Sequence, residues 1–548
     1  MNAFGTHLVF NQSTPFEDVN LYACDAALRE AVRREGAAWH DAALLALGQE
    51  TGAAAWQERA RLANAYPPRL KSVDRAGHRI DEVEFHPAWH ELMALMIGNG
   101  AHASPWLDPR PGAQVARAAA YLLFGQLENG AQCPLTMTYA SVPALRQAPQ
   151  LAQDWLPKIL SRHYDPRALP VGQKQGALIG MGMTEKQGGS DVRANTTRAE
   201  PLGEEAGPWR IVGHKWFFSA PQSDAHLILA QTDDAGSAGL SCFLLPRFLP
   251  DGERNAIRVQ RLKDKLGNRS NASSEVEFVG AHGFLVGARG RGIPTILEMG
   301  SHTRLDCVLG SAGILRAALT HALHHARGRM AFGAPLASHP LMQNVLADLA
   351  LESEAATAFA LRLARCFDER DQVEQSLLAR ILTPAGKYWI CKRAPMATAE
   401  AMEVMGGNGY VEDGPLARLY REAPVNSIWE GSGNVMGLDL LRAFGKTPAA
   451  HDALAAELGL ARGSHAVLDA FVDALLADLA GPLLEYDARR LAERIVLALQ
   501  GALLVRFAPG CVADGFVASR LAGHGGGAFG CLPAGVDCAA ILARALQA

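Results

Sequence analysis

A change in hydrophobic period part-way along the chain constrains its fold more than any other feature of the sequence. From about residue 181 to 290, apolar residues fall in short β-branched and aromatic runs, such as WRIVGHKWFFS and AHLILAQT, separated by turn residues. On either side, in 1–180 and 291–445, apolar residues recur every three or four positions, which is the helical period. The pattern predicts a mainly α chain with a small antiparallel β domain at its centre.

The helical regions differ in segment length, and this difference predicts their architecture. Segments in 1–180 break at Gly or Pro and predict an N-terminal helical domain, whereas those in 291–445 are long enough for a four-helix bundle. The last stretch, 446–548, returns to the helical period around a Gly-rich interruption, GHGGGAFG, and predicts an appended helical domain. A chain of 548 residues exceeds what one hydrophobic core usually serves, which fits this four-domain division.

Composition argues against several classes of protein. A formal net charge of -4 with 20% charged residues describes a slightly acidic globular protein. No run reaches the length of about 18 apolar residues that a membrane span needs, and the N-terminus lacks the features of a signal peptide. Nine cysteines without a CxxC pair indicate reduced thiols rather than a disulfide framework or a structural metal. These observations predict a cytoplasmic protein.

The stretch MGMTEKQGGSDVRANTT, at 181–197, is the densest group of unusual residues in the chain. Glycines such as Gly188 and Gly189 let backbone N–H groups approach an anion closely, and the hydroxyls of Thr184 and Ser190 add donors. A polar loop that only joins two domains would show the same residues. The stretch therefore favours an anion-binding loop without excluding a plain connection.

The predicted strand GHKWFFS follows this loop and carries three aromatic residues and a hydroxyl, Trp216, Phe217, Phe218 and Ser219. A flavin ring needs a flat apolar surface to pack on and a donor beside its N5 atom, and such a strand offers both. A strand buried in the core would carry the same aromatics.

Two further motifs lie where the patterns of long helices break. RGRMAFG, at 327–333, contains Arg327 and Arg329, and VMGGNGY, at 404–410, is a Gly-rich turn. Guanidinium groups and exposed backbone N–H groups both suit a diphosphate. Ordinary helix ends are the alternative for each motif taken alone.

The motif WEGSGN sets a single acid, Glu430, between Trp429 and Gly431, just before an apolar helical pattern. A carboxylate there could act as a general base. It could also stabilise the N-terminus of the following helix through the helix dipole.

Taken in order, MTEKQGGSD, GHKWFFS, RGRMAFG, VMGGNGY and WEGSGN resemble the motifs of the acyl-CoA dehydrogenase flavoprotein family. The resemblance implies the family fold, an FAD cofactor and a homotetramer built as a dimer of dimers. Within the family, the long N-terminal region, with FHPAWHELM, and the extra C-terminal domain resemble members that take part in the adaptive response to DNA alkylation.

The resemblance also assigns cofactor-binding roles. Within one subunit it places at the FAD the residues Met183, Thr184, Gly189, Ser190, Trp216, Phe217, Phe218 and Ser219, together with Trp429 and Asn434 beside the acid. It implies that the FAD of a neighbouring subunit is reached by Arg329, Phe332, Gly406 and Gly407. Trp216 stands one place before the family's usual Trp, which leaves open the aromatic that covers the flavin.

The resemblance gives Glu430 the role of general base. It would remove the α-proton of a short or branched acyl-CoA while flavin N5 accepts the β-hydride. Some relatives carry their base on an earlier helix, but that position is Thr303 here, which cannot serve. Trp429 in place of Tyr, and Lys186 in place of Pro, predict an altered acyl pocket and slow turnover.

Two other functions share this fold and cofactor. An oxidase that passes electrons to O₂ would use the same base. A protein with little or no turnover could instead bind double-stranded DNA through residues 446–548. That region has 8 Lys/Arg and 10 Asp/Glu, a net of -2, which counts against a DNA surface. The DNA-binding candidates are Arg442, Arg489, Arg490, Arg494, Arg506 and Arg520, and a solvated charged helix face is the alternative reading of them.

Three histidines, His321, His324 and His325, share a helical spacing that could bind a metal. No carboxylate or cysteine accompanies them, so no metal site is predicted.

Overall fold

The computed structural model describes residues 6–232 and 239–547. The chain is mainly helical with a central β-sheet, which confirms the predicted fold class. It divides into two compact units. The helical unit comprises Met1–Ala54, Gln114–Gln126 and Cys307–Ala548, and the sheet unit comprises Ala55–Ala113 and Leu127–Asp306.

The helices are, in chain order, α1 (Ala26–Arg34), α2 (Asp41–Gly52), α3 (Ala54–Ala65), α4 (Pro87–Gly98), α5 (Ser104–Leu107), α6 (Ala113–Leu127), α7 (Gln132–Leu145), α8 (Pro149–Ile159), α9 (Gly292–Gly328), α10 (Pro340–Asp368), α11 (Val373–Val404), α12 (Gly407–Tyr410), α13 (Pro415–Glu422), α14 (Gly433–Lys446), α15 (Ala449–Gly459), α16 (Ala466–Ala480), α17 (Ala488–Phe507), α18 (Gly510–Phe516) and α19 (Cys538–Ala545). None of these described helices is long and apolar enough to cross a bilayer.

A β-hairpin interrupts the region that the sequence predicts to be helical. Strands β1 (Arg69–Val73) and β2 (Arg79–Glu84) pair antiparallel in the sheet unit. The segment RLKSVDRAGHRIDEVE folds around a turn in which Asp74 accepts hydrogen bonds from the backbone of Ala76 and His78. An Asp-anchored turn that contains a glycine favours a hairpin over a helix.

The main sheet closes on itself. Its strands are β3 (Ile179–Gly182), β4 (Arg198–Pro201), β5 (Pro208–Ser219), β6 (Ala225–Gln231), β7 (Leu240–Pro246), β8 (Ile257–Leu262) and β9 (Ser273–Val286). Neighbouring pairs run β6-β4-β5-β9-β7 and return to β6, while β3 and β8 pair with β6 and β9. Most of these pairs are antiparallel, as predicted, while β3 and β4 pair with β6 in parallel.

The sheet unit has a core on each side of β6 and β7. These strands are buried on both faces and therefore read as continuous apolar runs, AHLILAQ and LSCFLLP, rather than as alternation. One cluster packs Trp209, Phe218, Phe243 and Phe278 inside the sheet. The other packs α7 and α8 against β3, β6 and β7.

In the helical unit, α11 and α17 contact each other, and both of them contact α10 and α14. Residues after 446 lie in this same unit, and α17 is buried along its apolar face against α10 and α11. A short hairpin of β10 (Met330–Ala331) and β11 (Ala334–Pro335) links α9 to α10.

Candidate active site

A buried carboxylate organises the loop around Thr184. The Glu185 side chain has no exposed surface and accepts hydrogen bonds from Lys215 Nζ at 2.8 Å and from the Thr196 and Thr197 amides at 2.6 and 3.1 Å. Gln187 Nε2 donates a further bond at 2.9 Å. The acid therefore ties both ends of the loop to strand β5.

The charges of Glu185 and Lys215 are both retained near neutral pH. Burial opposes ionisation of the Glu185 carboxyl, but Lys215 and the surrounding donors outweigh it and lower the pKa of Glu185 to about 2. Burial, partly offset by Glu185, lowers the pKa of Lys215 to about 8. The loop is thus fixed by an ion pair shielded from solvent.

Within the loop, glycine at 189 is required by a close approach. A Cβ at Gly189 would lie 2.2 Å from Thr184 Oγ1. The Met183 carbonyl accepts a bond from Asn195 Nδ2 at 3.0 Å, and the Trp216 amide donates to the Thr184 carbonyl at 2.8 Å. Ser190 is exposed. The predicted donors and the predicted aromatic strand therefore lie together in the sheet unit.

A β-bulge determines which aromatics of strand β5 face outward. Lys215 pairs with Val276 and Phe218 with Ser274, so β5 has one more residue than β9 between these pairs. Lys263 Nζ lies 4.1 Å from the Trp216 ring and 4.4 Å from the Phe217 ring. Trp216 and Phe217 therefore lie on the same face of strand β5. A β-bulge changes the direction of side chains in this way. Phe217 keeps 53% of its surface exposed, whereas cations cover Trp216.

Phe218 is a correction to the predicted set of cofactor contacts. Its side chain has no exposed surface and stacks on His226, with ring centroids 3.8 Å apart. The residue after the bulge turns inward, so this ring belongs to the core and offers no face to a cofactor. Ser219, at the end of β5, is half-buried and pairs with Ser273.

The two arginines of the motif at 327–333 have different hydrogen-bond partners. Arg327 donates to the carbonyls of Leu542 and Leu546, each at 3.0 Å, and so holds the C-terminal segment. Arg329 donates to the Asn11 carbonyl. Phe332, at a φ of 52°, is 98% exposed.

The second Gly-rich turn lies between α11 and α12. Gly406, at a φ of 60°, and Gly407 are exposed, and a Cβ at either would meet no atom within 4 Å. The turn therefore presents accessible backbone, as the sequence predicts.

Glu430 lies in a turn with two successive left-handed residues. Its φ is 59° and that of Gly431 is 104°, and the turn leads from a 3₁₀ segment, Ala423–Ser427, to α14. The left-handed region costs a non-glycine residue on the order of 1–3 kcal/mol, and such strain persists only where neighbours enforce it. Glu430 itself is half-buried.

The neighbours that enforce this turn come from two helices. Lys387 of α11, itself buried, donates from Nζ to the Gly431 carbonyl at 2.6 Å. Trp429 Nε1 donates to Asn426 Oδ1 at 3.1 Å, and Asn426 Nδ2 donates to Ser311 Oγ at 3.1 Å. The turn is therefore fixed on both sides of Glu430.

This geometry supports neither a helix-dipole role for Glu430 nor a general base at position 303. Glu430 precedes the cap residue of α14, Ser432, by two positions, so it lies outside the first helical turn where a dipole effect is strongest. Thr303 is buried in α9 and donates its hydroxyl to the Gly300 carbonyl at 3.1 Å.

The arginines predicted to contact DNA do not form one free cationic group. Arg490 pairs with Asp478 at 3.2 Å and Asp487 at 3.3 Å, and Arg494 also pairs with Asp478. Arg520 pairs with Asp348 and Glu352, Arg489 donates to Asn434, and Arg506 lies over the Phe507 ring, while Arg442 is exposed. Acidic partners offset much of the charge that a phosphate surface needs.

The three histidines of α9 contact the N-terminal segment. Ser13 Oγ lies 2.7 Å from His325 Nδ1, His324 Nε2 lies 2.9 Å from the Thr14 carbonyl, and Phe16 packs on the ring of His321.

Sequence reasoning missed Glu185, Lys387 and Asn426, each of which holds a predicted site segment in place. The signal for Glu185 was its position beside Thr184 together with Lys215, a charged residue inside an apolar strand. Lys387 and Asn426 gave no local signal, because their partners lie far away in sequence.

Three family models match the chain. They are described as the adaptive response protein AidB N-terminal domain, over residues 11–166, the acyl-CoA dehydrogenase middle domain, over 180–281, and the acyl-CoA dehydrogenase C-terminal domain, over 290–458. A protein of Escherichia coli K12 named putative acyl-CoA dehydrogenase AidB is 52% identical over 523 residues, which cover 95% of each chain.

Solved structures agree with this match. ACDH-11 of Caenorhabditis elegans in complex with C11-CoA has a TM-score of 0.86 at 27% identity, covering 94% of this chain and 92% of its own. The apo form of Bd2924 has a TM-score of 0.82 at 31% identity, covering 91% of this chain and 100% of its own. With motifs, fold and full-length similarity in agreement, the chain belongs to the acyl-CoA dehydrogenase family.

Proposed function

We propose that this protein is an FAD-dependent dehydrogenase of a short or branched acyl-CoA, with Glu430 as its general base. The observation that carries the proposal is the left-handed turn, in which a carboxylate is kept at a φ of 59° where glycine would be unstrained. A turn held by Lys387 and Asn426 in spite of this cost points to a use for the acid.

The chain's residues fit an FAD. Family members are FAD-dependent. In the sheet unit, the hydroxyls of Thr184 and Ser190 would bind the cofactor, and the exposed ring of Phe217 would pack on the flavin. When bound, FAD supplies the hydride acceptor. The chemistry of this donor set, hydroxyls and glycine amides beside a flat apolar surface, is what such a cofactor requires.

The other residues act on the substrate. Glu430 would remove the α-proton of the thioester, a weakly acidic proton that needs a base shielded from water. The backbone N–H of Glu430 would polarise the thioester carbonyl. Trp429, held by Asn426, would form one wall of the acyl pocket and limit the size of the acyl group. An acyl pocket narrowed by Trp429 agrees with the slow turnover that the sequence predicts.

Relatives support an acyl-CoA as the substrate class. The C. elegans neighbour was solved in complex with C11-CoA, and the E. coli relative carries the name putative acyl-CoA dehydrogenase. We take the same class for this chain.

The proposal includes a homotetramer in which each subunit completes another's cofactor site. Arg329, Phe332, Gly406 and Gly407 all lie at the surface of the helical unit or near it, and Phe332 is 98% exposed. A phenylalanine with this exposure favours burial against a second chain.

Two alternatives keep the same fold and cofactor. A DNA-binding protein of the adaptive response gains no favouring observation, because acidic residues pair with Arg490, Arg494 and Arg520. An acyl-CoA oxidase would use the same base and differ only in passing electrons to O₂.

The test is anaerobic titration of the purified yellow protein with acyl-CoAs, short, branched and of eleven carbons, while flavin absorbance is followed. We expect bleaching by a short or branched acyl-CoA and a loss of at least about 10³-fold in its rate in Glu430→Gln. Absence of bleaching with every acyl-CoA would overturn the proposal, and salt-dependent binding of duplex DNA would then be measured. Fast reoxidation of the bleached flavin by O₂ would identify the oxidase.

A further inference from the structure

Arg489 contacts the segment that follows Glu430. Arg489 is the second residue of α17, and its Nε donates to Asn434 Oδ1 at 2.9 Å. Asn434 is the second residue of α14, four positions after Glu430. A side chain from the region predicted to bind DNA is therefore bound to the motif predicted to bind the cofactor.

Arg489 lies close to the glycine at the start of α14. A Cβ at Gly433 would lie 3.3 Å from the Arg489 guanidinium, 3.3 Å from the Tyr388 ring and 3.0 Å from Lys392 Cε. The Arg489 guanidinium also lies 5.8 Å from the centroid of the Tyr388 ring. The arginine is thus packed at this point rather than extended into solvent along its whole length.

The contact fixes which end of the Asn434 amide faces outward. A guanidinium only donates hydrogen bonds, so the amide oxygen must face Arg489. The opposite orientation would set the amide NH₂ against the N–H groups of the arginine. The NH₂ end of Asn434, with two donors, is therefore directed away from Arg489.

We propose that Arg489 is a positioning residue of the cofactor site, which holds Asn434 by its amide oxygen so that the NH₂ group is presented as a donor to FAD. The inference deepens the proposed function and rests on it. It also gives α17, in the region after residue 446, a role in cofactor binding. Arg489 acts through Asn434 and is not assigned a contact with the substrate.

The neighbouring Arg490 provides a matched control. Both arginines are exposed and adjacent on α17, but Arg490 pairs with Asp478 and Asp487 rather than with α14. Loss of either side chain removes the same charge from the same helix. Only the loss of Arg489 releases Asn434.

The experiment measures FAD affinity of the full-length protein by equilibrium dialysis with flavin fluorescence, for Arg489→Ala, Asn434→Ala, the double variant and Arg490→Ala. We expect about tenfold weaker FAD binding in each of the first two, no further loss in the double variant, and no change in Arg490→Ala. Arg489→Lys, which keeps one donor for Asn434, should restore part of the affinity. Circular dichroism melting in excess FAD should be unchanged by each substitution.

Equal FAD affinity in Arg489→Ala and Arg490→Ala, or independent losses that add in the double variant, would overturn the inference. Equal weakening of duplex DNA binding by Arg489→Ala and Arg490→Ala, without loss of FAD, would also overturn it. The proposed function fails separately, because it predicts flavin bleaching by acyl-CoA in the FAD-saturated wild type. If Arg489 and Asn434 are coupled in FAD binding but no acyl-CoA bleaches the flavin, the dehydrogenase proposal is wrong and the positioning role of Arg489 still holds.

Discussion

In the sheet unit, the loop around Thr184 is fixed by an ion pair that has no exposed surface. In the helical unit, the turn around Glu430 is fixed by one lysine and by amide hydrogen bonds, and its own carboxylate stays half-buried. The carboxylate of Glu185 itself holds the loop in shape, whereas the turn is held by contacts to Gly431 and Trp429 and has its backbone strain at the acid, Glu430. The comparison shows that a buried charge pair and a set of contacts to neighbouring residues can each fix a short segment.

The largest predicted effect is on the loop. Glu185→Gln leaves Lys215 buried without its counter-charge and should lower the free energy of unfolding by about 3–5 kcal/mol. The same substitution should release FAD, because the Thr184 loop loses its anchor. Urea denaturation and flavin retention after gel filtration measure the two results.

The double variant Glu185→Gln/Lys215→Met is the control. Removing both charges leaves no uncompensated ion, so part of the lost stability should return. A double variant less stable than Glu185→Gln would contradict this account of the ion pair.

The Glu185–Lys215 ion pair also predicts that the free energy of unfolding depends on pH in the acid range. Because the folded pKa of Glu185 is lowered to about 2, its contribution is present above the unfolded pKa and is lost as pH falls toward 2. The difference in unfolding free energy between wild type and Glu185→Gln should therefore shrink by about 2 kcal/mol from pH 6 to pH 3. Urea midpoints at the two pH values check this, and an unchanged difference would mean that the pKa of Glu185 is the same in the folded and unfolded states.

The turn should respond to Lys387→Met by a smaller amount. The substitution removes a charge-assisted hydrogen bond to the Gly431 carbonyl, worth about 2 kcal/mol. The rate of flavin bleaching should fall while FAD affinity is largely retained, because Lys387 donates to the Gly431 carbonyl, directly beside Glu430. Stopped-flow bleaching and FAD dialysis separate these effects, and loss of FAD with an unchanged bleaching rate would reverse the assignment.

A still smaller effect decides which aromatic covers the flavin. Phe217→Ala should weaken FAD binding by about 1 kcal/mol, five- to tenfold, because the exposed ring provides the apolar surface. Trp216→Ala should cost less, since its ring is half-buried and is covered by Lys186 and Arg261 as well as by Lys263. Fluorescence titration with FAD compares the two, and the opposite order would assign the flavin to Trp216.

Much of the fold could be predicted from the sequence, because the change from a helical period to short β-branched and aromatic runs is a local property. The hairpin β1–β2 and the parallel pairings of β3 and β4 could not, since pairing partners are chosen by tertiary packing. Motifs located the Thr184 loop, the Gly406 turn and Glu430 for the same local reason.

The side-chain directions at the site were less accessible to sequence reasoning. Regular alternation would put Trp216 and Phe217 on opposite faces, and only the bulge, which depends on β9, brings them to one side. The arginines next to Arg489 in sequence predict that it binds phosphate. Its hydrogen-bond partner, Asn434, is 55 residues away and could not be predicted from them.

The decisive variant is Glu430→Gly, with the free energy of unfolding and the rate of flavin bleaching measured on the same preparation. Glycine adopts a φ of 59° without strain, so we expect a gain in stability of about 1 kcal/mol together with loss of bleaching by acyl-CoA. Bleaching that continues at the wild-type rate would contradict the claim that the turn accepts strain in order to present a catalytic carboxylate.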